Sequence, residues 1–103
     1  MRESKRRRLE AKGWKFGGPK EFLGLSDQEA DYIELKLNLA QVLQEKRRKR
    51  DLGQMDLAKV LGSSQSRIAK MEAGDSSVSL DLLIRALLAL GTSRPELARI
   101  MAR

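Results

Sequence analysis

The chain has 103 residues, no Cys, no His, two Pro, one Trp and a formal net charge of +7, which fits one small domain with a modest core. Without Cys there are no disulfides, thiolate nucleophiles or ordinary zinc fingers, and without His the commonest general base and metal ligand is missing; the expectation is a protein that is no enzyme and holds no metal and no cofactor. No apolar run approaches the ~20 residues of a membrane span, and the basic start leads into Gly-Trp-Lys-Phe rather than a signal-peptide core, so a cytoplasmic chain without membrane association is expected.

The charge is divided along the chain. Residues 1–20 carry eight basic residues against two acidic ones, net +6, and residues 21–45 carry one against six, net −5. Residues 46–72 carry eight against three, net +5, and the remainder is close to neutral at +1. A polyanionic partner is therefore met by the N-terminal arm and by residues 46–72, while the acidic stretch faces elsewhere. Residues 1–25 read as a basic flexible arm followed by an aromatic and Gly-rich extension, and residues 26–103 as a helical domain.

In the arm, Arg6, Arg7 and Arg8 allow three readings: a tail on the DNA minor groove or backbone, a protein-binding segment, or a solubilising end. Residues 13–25 interleave Gly17, Gly18, Pro19 and Gly24 with Trp14, Phe16, Phe22 and Leu23, which argues against a regular helix. These aromatics either fold back over the core or dock on another protein. Ser26-Asp27-Gln28-Glu29 has the form of a capping box and predicts a helix start at Ser26. That helix continues to about Lys49, with apolar residues at 32, 35, 39 and 42 and others at 33, 37, 40 and 43 beside them. Asp27 and Asp31, one turn apart, read as a solvated face rather than a metal or acid site.

Asp51-Leu52-Gly53 breaks the chain. A short helix follows from Gln54 to Leu61, with Leu57, Ala58 and Leu61 on its inner side. Gly62 suits a left-handed C-cap, and Ser64 caps a second helix whose inner stripe is Ile68 and Met71 and whose stop is Gly74. Residues 54–73 thus form a helix-turn-helix. Ser79 caps a further helix containing Leu80, Leu83, Ile84, Leu87 and Leu88, apolar nearly all round and central to the core. Gly91 ends it, and Ser93 with Pro95 starts a last helix through Leu97, Ile100 and Met101. Five helices are expected and no strand. The last three apolar residues are candidates for a dimer surface, with packing into the same core as the alternative.

Several residues carry a closer resemblance: Leu43 and Arg47, Leu52 and Gln54, Leu57-Ala58, Leu61-Gly62, Ser64-Gln65-Ser66, Ile68, Glu72, Gly74, and Ser79-Leu80 with Leu83. Over residues 35–91 they resemble the Xre family of phage-repressor-like helix-turn-helix proteins. The resemblance implies an all-α, compact five-helix lambda-repressor-like domain that binds DNA and regulates transcription. The segment from Gly-Trp-Lys-Phe to Phe-Leu-Gly-Leu-Ser is similar to that of HigA-type antitoxins. It implies an antitoxin and autorepressor with a RelE-like toxin as a second partner, and places Trp14, Phe16 and Phe22 as toxin-docking candidates. A stand-alone or phage-type repressor, and an adaptor that does not bind DNA, are the alternatives. The chain departs from the family pattern at Gly53, where Thr or Ser is usual, and at Ser63, which is usually apolar.

A second helix entering the major groove turns Gln65, Ser66, Ala69 and Lys70 toward base edges. Arg67 projects toward a phosphate, and Gln54 and Ser64 stand at helix N-termini suited to phosphate oxygens. Lys49 and Arg50 are further phosphate candidates, with a solvated face as the alternative. The resemblance implies that Arg47 pairs with Glu72 as a structural element. Since one such unit reads only about four or five base pairs, a homodimer on an inverted repeat, with half-sites ~34 Å apart, is expected.

Overall fold

The computed structural model describes residues 19–103, with side chains from residue 27 onward, and all its regular structure is helical. The elements are α1 (Pro19–Lys49), α2 (Gln54–Leu61), α3 (Gln65–Ala73), α4 (Leu80–Ala89) and α5 (Arg94–Met101). The arm residues Arg6, Arg7 and Arg8, with Trp14 and Phe16, lie outside the described residues, as does the side chain of Phe22.

α1 differs from the sequence expectation. It starts at Pro19, not at Ser26, and runs for 31 residues, about 46 Å at 1.5 Å per residue. Pro is well suited to a first helical turn, where its missing N–H has no helical partner in any case. Once the packed part of a helix exists, each added residue fixes one conformation for one new hydrogen bond. A single Gly24, costing about 1 kcal/mol, does not stop the growth. Ser26 consequently sits inside the helix, where amides are already satisfied by carbonyls one turn back, and the capping box has no free donor to serve. The boundary expected between residues 25 and 26 falls within this helix.

The inward stripe of α1 comprises Ala30, Ile33, Leu39, Ala40, Val42 and Leu43, each at most 5% exposed. Tyr32, expected on that stripe, is 47% exposed, and Lys36 takes a buried place instead. Its ammonium lies 5.6 Å from the centroid of the Tyr32 ring, and burial lowers its pKa from the ordinary lysine value. A lysine stem covers apolar surface as a leucine would, which apolar periodicity alone does not register.

α1 packs on α3, α4 and α5, and α2 packs on α3. Leu39, Leu43, Leu57, Ile68, Met71, Leu83, Leu87 and Ile100 form the centre of the core. Leu97 and Ile100 are 8% and 1% exposed and belong to it, so they are not a dimer surface; of the three candidates only Met101, at 36%, is exposed. The physical reason is that eight-residue α5 has one apolar face and lays it against α1, fastened by an ion pair of 2.9 Å between Lys46 and Glu96. That pairing holds the Glu96 carboxyl below the usual carboxylate range.

The turns follow from local chemistry. Asp51 takes a left-handed conformation, φ 55°, one that Asp tolerates better than most residues, and Leu52 N–H returns to the Arg47 carbonyl at 3.2 Å. Gly53 offers no side-chain cap, but its own N–H donates to Asp56 Oδ2 at 2.9 Å. Ser64, Ser79 and Ser93 accept from the amides of Arg67, Leu82 and Glu96 at 3.1–3.2 Å. Ser63, in the place usually apolar, has a buried hydroxyl with no partner among the described residues, as does Thr92.

Gly62 and Gly74 both end helices with φ near +65°, yet their surroundings differ. A Cβ on Gly62 meets nothing within 4 Å, whereas one on Gly74 falls 2.2 Å from Leu37 Cδ2 on α1. Left-handed backbone costs a residue with Cβ about 1–2 kcal/mol. Gly62→Ala is therefore expected to lose about that much stability, and Gly74→Ala more, since Leu37 must also move. Urea unfolding of the two variants side by side checks the order; equal losses would contradict the close approach of α3 and α1.

Candidate nucleic-acid interface

The basic run Lys46–Arg50 supplies most of the positive charge at the end of α1, and a helix sends those side chains in different directions. Arg47 points into the core. Its Nε and one terminal nitrogen donate to Glu72 Oε2 and Oε1 at 2.6 and 2.9 Å, and its other terminal nitrogen donates to the Leu52 carbonyl at 2.7 Å. Both residues are 9% exposed. Its hydrogen bonds to the Glu72 carboxylate raise the Arg47 pKa. Arg50 donates to the carbonyl of Leu90 at the end of α4, where a cation complements the helix dipole. Sequence reasoning made it a phosphate candidate with a solvated face as the alternative; the structure adds this partner for one terminal nitrogen and leaves the side chain exposed. Arg48 and Lys49 remain exposed.

The ion pair does not end at Glu72. Gln54 Nε2 donates to Glu72 Oε1 at 3.2 Å, and Gln54 Oε1 accepts from Gln65 Nε2 at 2.7 Å. A continuous path thus leads from the buried guanidinium to the exposed first residue of α3. Donating to Gln54 uses one of the two Gln65 N–H donors and leaves the second donor and the carbonyl oxygen. Those two groups are what a bidentate contact with adenine N7 and N6 requires. Sequence reasoning assigned Gln54 to a phosphate and did not find its hold on Gln65. Both glutamines were singled out, but only the three-dimensional turn brings residues 11 apart in sequence into contact.

On α3, Ile68 and Met71 are buried, and Gln65, Ser66, Arg67 and Lys70 are exposed with Ala69 half-buried. Ser64 spends one lone pair on the Arg67 amide, and its hydroxyl lies 3.3 Å from that of Ser66. Beside this face lies a cleft of about 320 Å³ lined by Ser66, Arg67, Lys70, Ser77, Val78, Ser79 and Leu82. Its far wall is the loop between α3 and α4. Asp75 shapes that loop: its Oδ1 accepts from the Ser77 amide at 2.9 Å and the Ser77 hydroxyl at 2.6 Å. These bonds hold the Asp75 carboxyl below the usual range. The Asp-x-Ser spacing is the available sequence signal, being that of an Asx turn. Two cationic side chains and three serines around one concavity suit an anionic oxygen.

Among the described residues no group of three or more His, Cys, Asp and Glu side chains is placed to hold a metal ion, and no helix is long and apolar enough to cross a membrane. Comparison with curated proteins and with solved structures gave no match. A helix-turn-helix family profile matches residues 43–97, from the second half of α1 into α5 and over more than half of the chain. The matched span contains the Arg47–Glu72 pair, both motif helices and the Ser77 loop, and on that match the chain belongs to the Xre-like helix-turn-helix family of DNA-binding transcriptional regulators.

Proposed function

We propose that this regulator reads an inverted-repeat operator as a homodimer, with α3 in the major groove and Gln65, Ser66, Ala69 and Lys70 toward base edges. Gln54, Ser64, Arg67 and Lys49 meet the phosphate backbone, joined by Ser77 and Ser79 from the cleft wall. The observation that carries this reading is the chain Arg47–Glu72–Gln54–Gln65. It fixes the amide of Gln65 before DNA arrives, so less ordering is needed on binding.

The biological role we propose is that of an antitoxin that represses its own operon. Support comes from the likeness of the Trp14 to Ser26 segment to HigA-type antitoxins and from where the aromatic residues lie. All four, Trp14, Phe16, Phe22 and Tyr32, precede the span matched by the family profile. DNA reading does not use them, which leaves Trp14, Phe16 and Phe22 for a RelE-like toxin. The arm at Arg6, Arg7 and Arg8 adds non-specific attraction to DNA.

Gln65→Ala is expected to weaken binding to a duplex selected from a random pool by about 10- to 100-fold, the worth of one bidentate base contact, with the melting temperature unchanged. Glu72→Ala strands a buried guanidinium and is expected to cost about 3–5 kcal/mol in folding stability. A Gln65→Ala variant that binds normally would remove the reading assignment. Deleting residues 1–8 should lower the slope of log affinity against log salt by about one unit for each phosphate the arm contacts; the same slope in both proteins would refute the DNA-arm role. For the antitoxin role, the full chain co-expressed with a short basic RelE-like reading frame from its own operon should copurify with that protein. Trp14→Ala with Phe16→Ala should abolish the complex and leave DNA binding intact, and a failure to copurify would leave a simple repressor.

A further inference from the structure

α4 is more apolar than its place in the fold requires. Its ten residues contain only two polar ones, Asp81 and Arg85. Leu83, Ala86 and Leu87 are buried, which satisfies the core. Leu80 and Ile84 pack against the edge of that core yet stay half-buried, and Leu88 is 45% exposed. These three stand at i, i+4 and i+8, one above another on a single flank of the helix. Asp81 and Arg85 form the adjacent ridge, joined at 3.1 Å and 72–77% exposed, a pairing worth little in water.

We propose that this flank is the surface through which two copies of the chain pair, with their α4 helices antiparallel about a two-fold axis at Ile84. The inference rests on the dimeric reading above and assigns its surface. Its basis is self-complementarity, which a two-fold contact demands of any single patch. Leu80 and Leu88 are each four residues from Ile84. An antiparallel partner centred there sets Ile84 against its own copy and Leu80 against Leu88 of the second copy, twice. In the same arrangement the two Asp81–Arg85 ridges lie on the same side with their directions reversed. Asp81 of one copy then reaches Arg85 of the other, and the reverse. Within its own helix Asp81 engages only Nε of Arg85, so the terminal guanidinium nitrogens remain for the second copy.

The size of the contact determines its strength. A ten-residue helix is about 15 Å long, so the contact falls below the ~1,200 Å² of a stable interface. The pair is weak when free and is completed when two half-sites hold both copies at high effective concentration. Another open apolar feature among the described residues, a cleft of about 300 Å³ between Val60, Leu61 and Leu82, has no such two-fold register.

The chain contains no Cys, so one introduced thiol reports on one contact. Ile84→Cys, Val60→Cys and Met101→Cys are oxidised with copper phenanthroline at high protein concentration, and only Ile84→Cys is expected to give a covalent dimer. The two charge variants give a second, surface-only readout. Asp81→Arg alone and Arg85→Asp alone should each weaken self-association about tenfold in sedimentation, through like-charge contact. Mixing the two variants, or combining both changes in one chain, should restore it. A covalent dimer through Met101→Cys or Val60→Cys instead of Ile84→Cys, or charge variants that mixing does not rescue, overturns this surface and leaves the dimeric reading standing. Sedimentation of the unaltered chain as a monomer, both free and on a selected duplex, overturns the dimeric reading itself.

Discussion

Arg47 and Glu72, each 9% exposed, hold α1 against α3 through two parallel hydrogen bonds between guanidinium and carboxylate. Removing two such charges from water costs several kcal/mol per ion, so their attraction alone is a poor source of stability. What the pair supplies is position. Aliphatic contacts between α1 and α3 tolerate sliding and rotation, because Leu39, Leu43, Ile68 and Met71 pack with little directional preference. A bidentate fork tolerates neither. The third bond of Arg47, to the Leu52 carbonyl, ties the same guanidinium to the turn that leads into α2. One side chain therefore sets the relative placement of three helices. Gln54 then carries that placement outward to Gln65, so the proposed reading face inherits its geometry from the core.

The same organisation changes how the charge of the chain is to be interpreted. Net +5 over residues 46–72 looks like a single DNA-binding surface, yet Arg47 is consumed by Glu72, Lys46 by Glu96, and Arg50 by the end of α4. Arg50 is itself exposed, and Arg48, Lys49, Lys59, Arg67 and Lys70 are the exposed cations outside these ties. The cations that look most clustered in sequence are thus largely ties within the fold. Those left for phosphates are spread over α1, α2 and α3, where they act as a field on an approaching duplex rather than as one clamp.

Much of this was legible in the chain. The glycines at 62, 74 and 91 and the serines at 64, 79 and 93 act locally, within a few residues of themselves, and so mark α2 to α5 closely. The stripes of α2 and α3 were equally clear, since each short helix has one apolar side. The misreadings share a cause: they concern choices decided by partners distant in sequence. Ser26 had the chemistry of a cap but no helix end to serve, because α1 extends back to Pro19. Leu97 and Ile100 had the look of a surface stripe until α1 covered them. Lys36 is buried in spite of its charge. The link from Gln54 to Gln65 and the role of Ser77 depend on how two turns fold past one another, which no local pattern encodes.

The proposed weak pairing surface on α4 fits the proposed autorepressor role better than a strong one would. When free chains are mostly monomeric, operator occupancy by a dimer rises with the square of their concentration, so repression begins over a narrow range. A large interface would hold the chain dimeric at all concentrations and flatten that response. The proposed reading face on α3 and the proposed pairing flank on α4 are positioned by the same core, with Met71, Leu83 and Leu87 among its members. Two copies joined at Ile84 would therefore present their reading helices at a spacing set by rigid packing, and the operator would be selected by that distance as well as by its bases. The aromatic extension lies outside the matched domain. On the proposed antitoxin reading, a partner bound there would act on DNA occupancy by altering pairing or access.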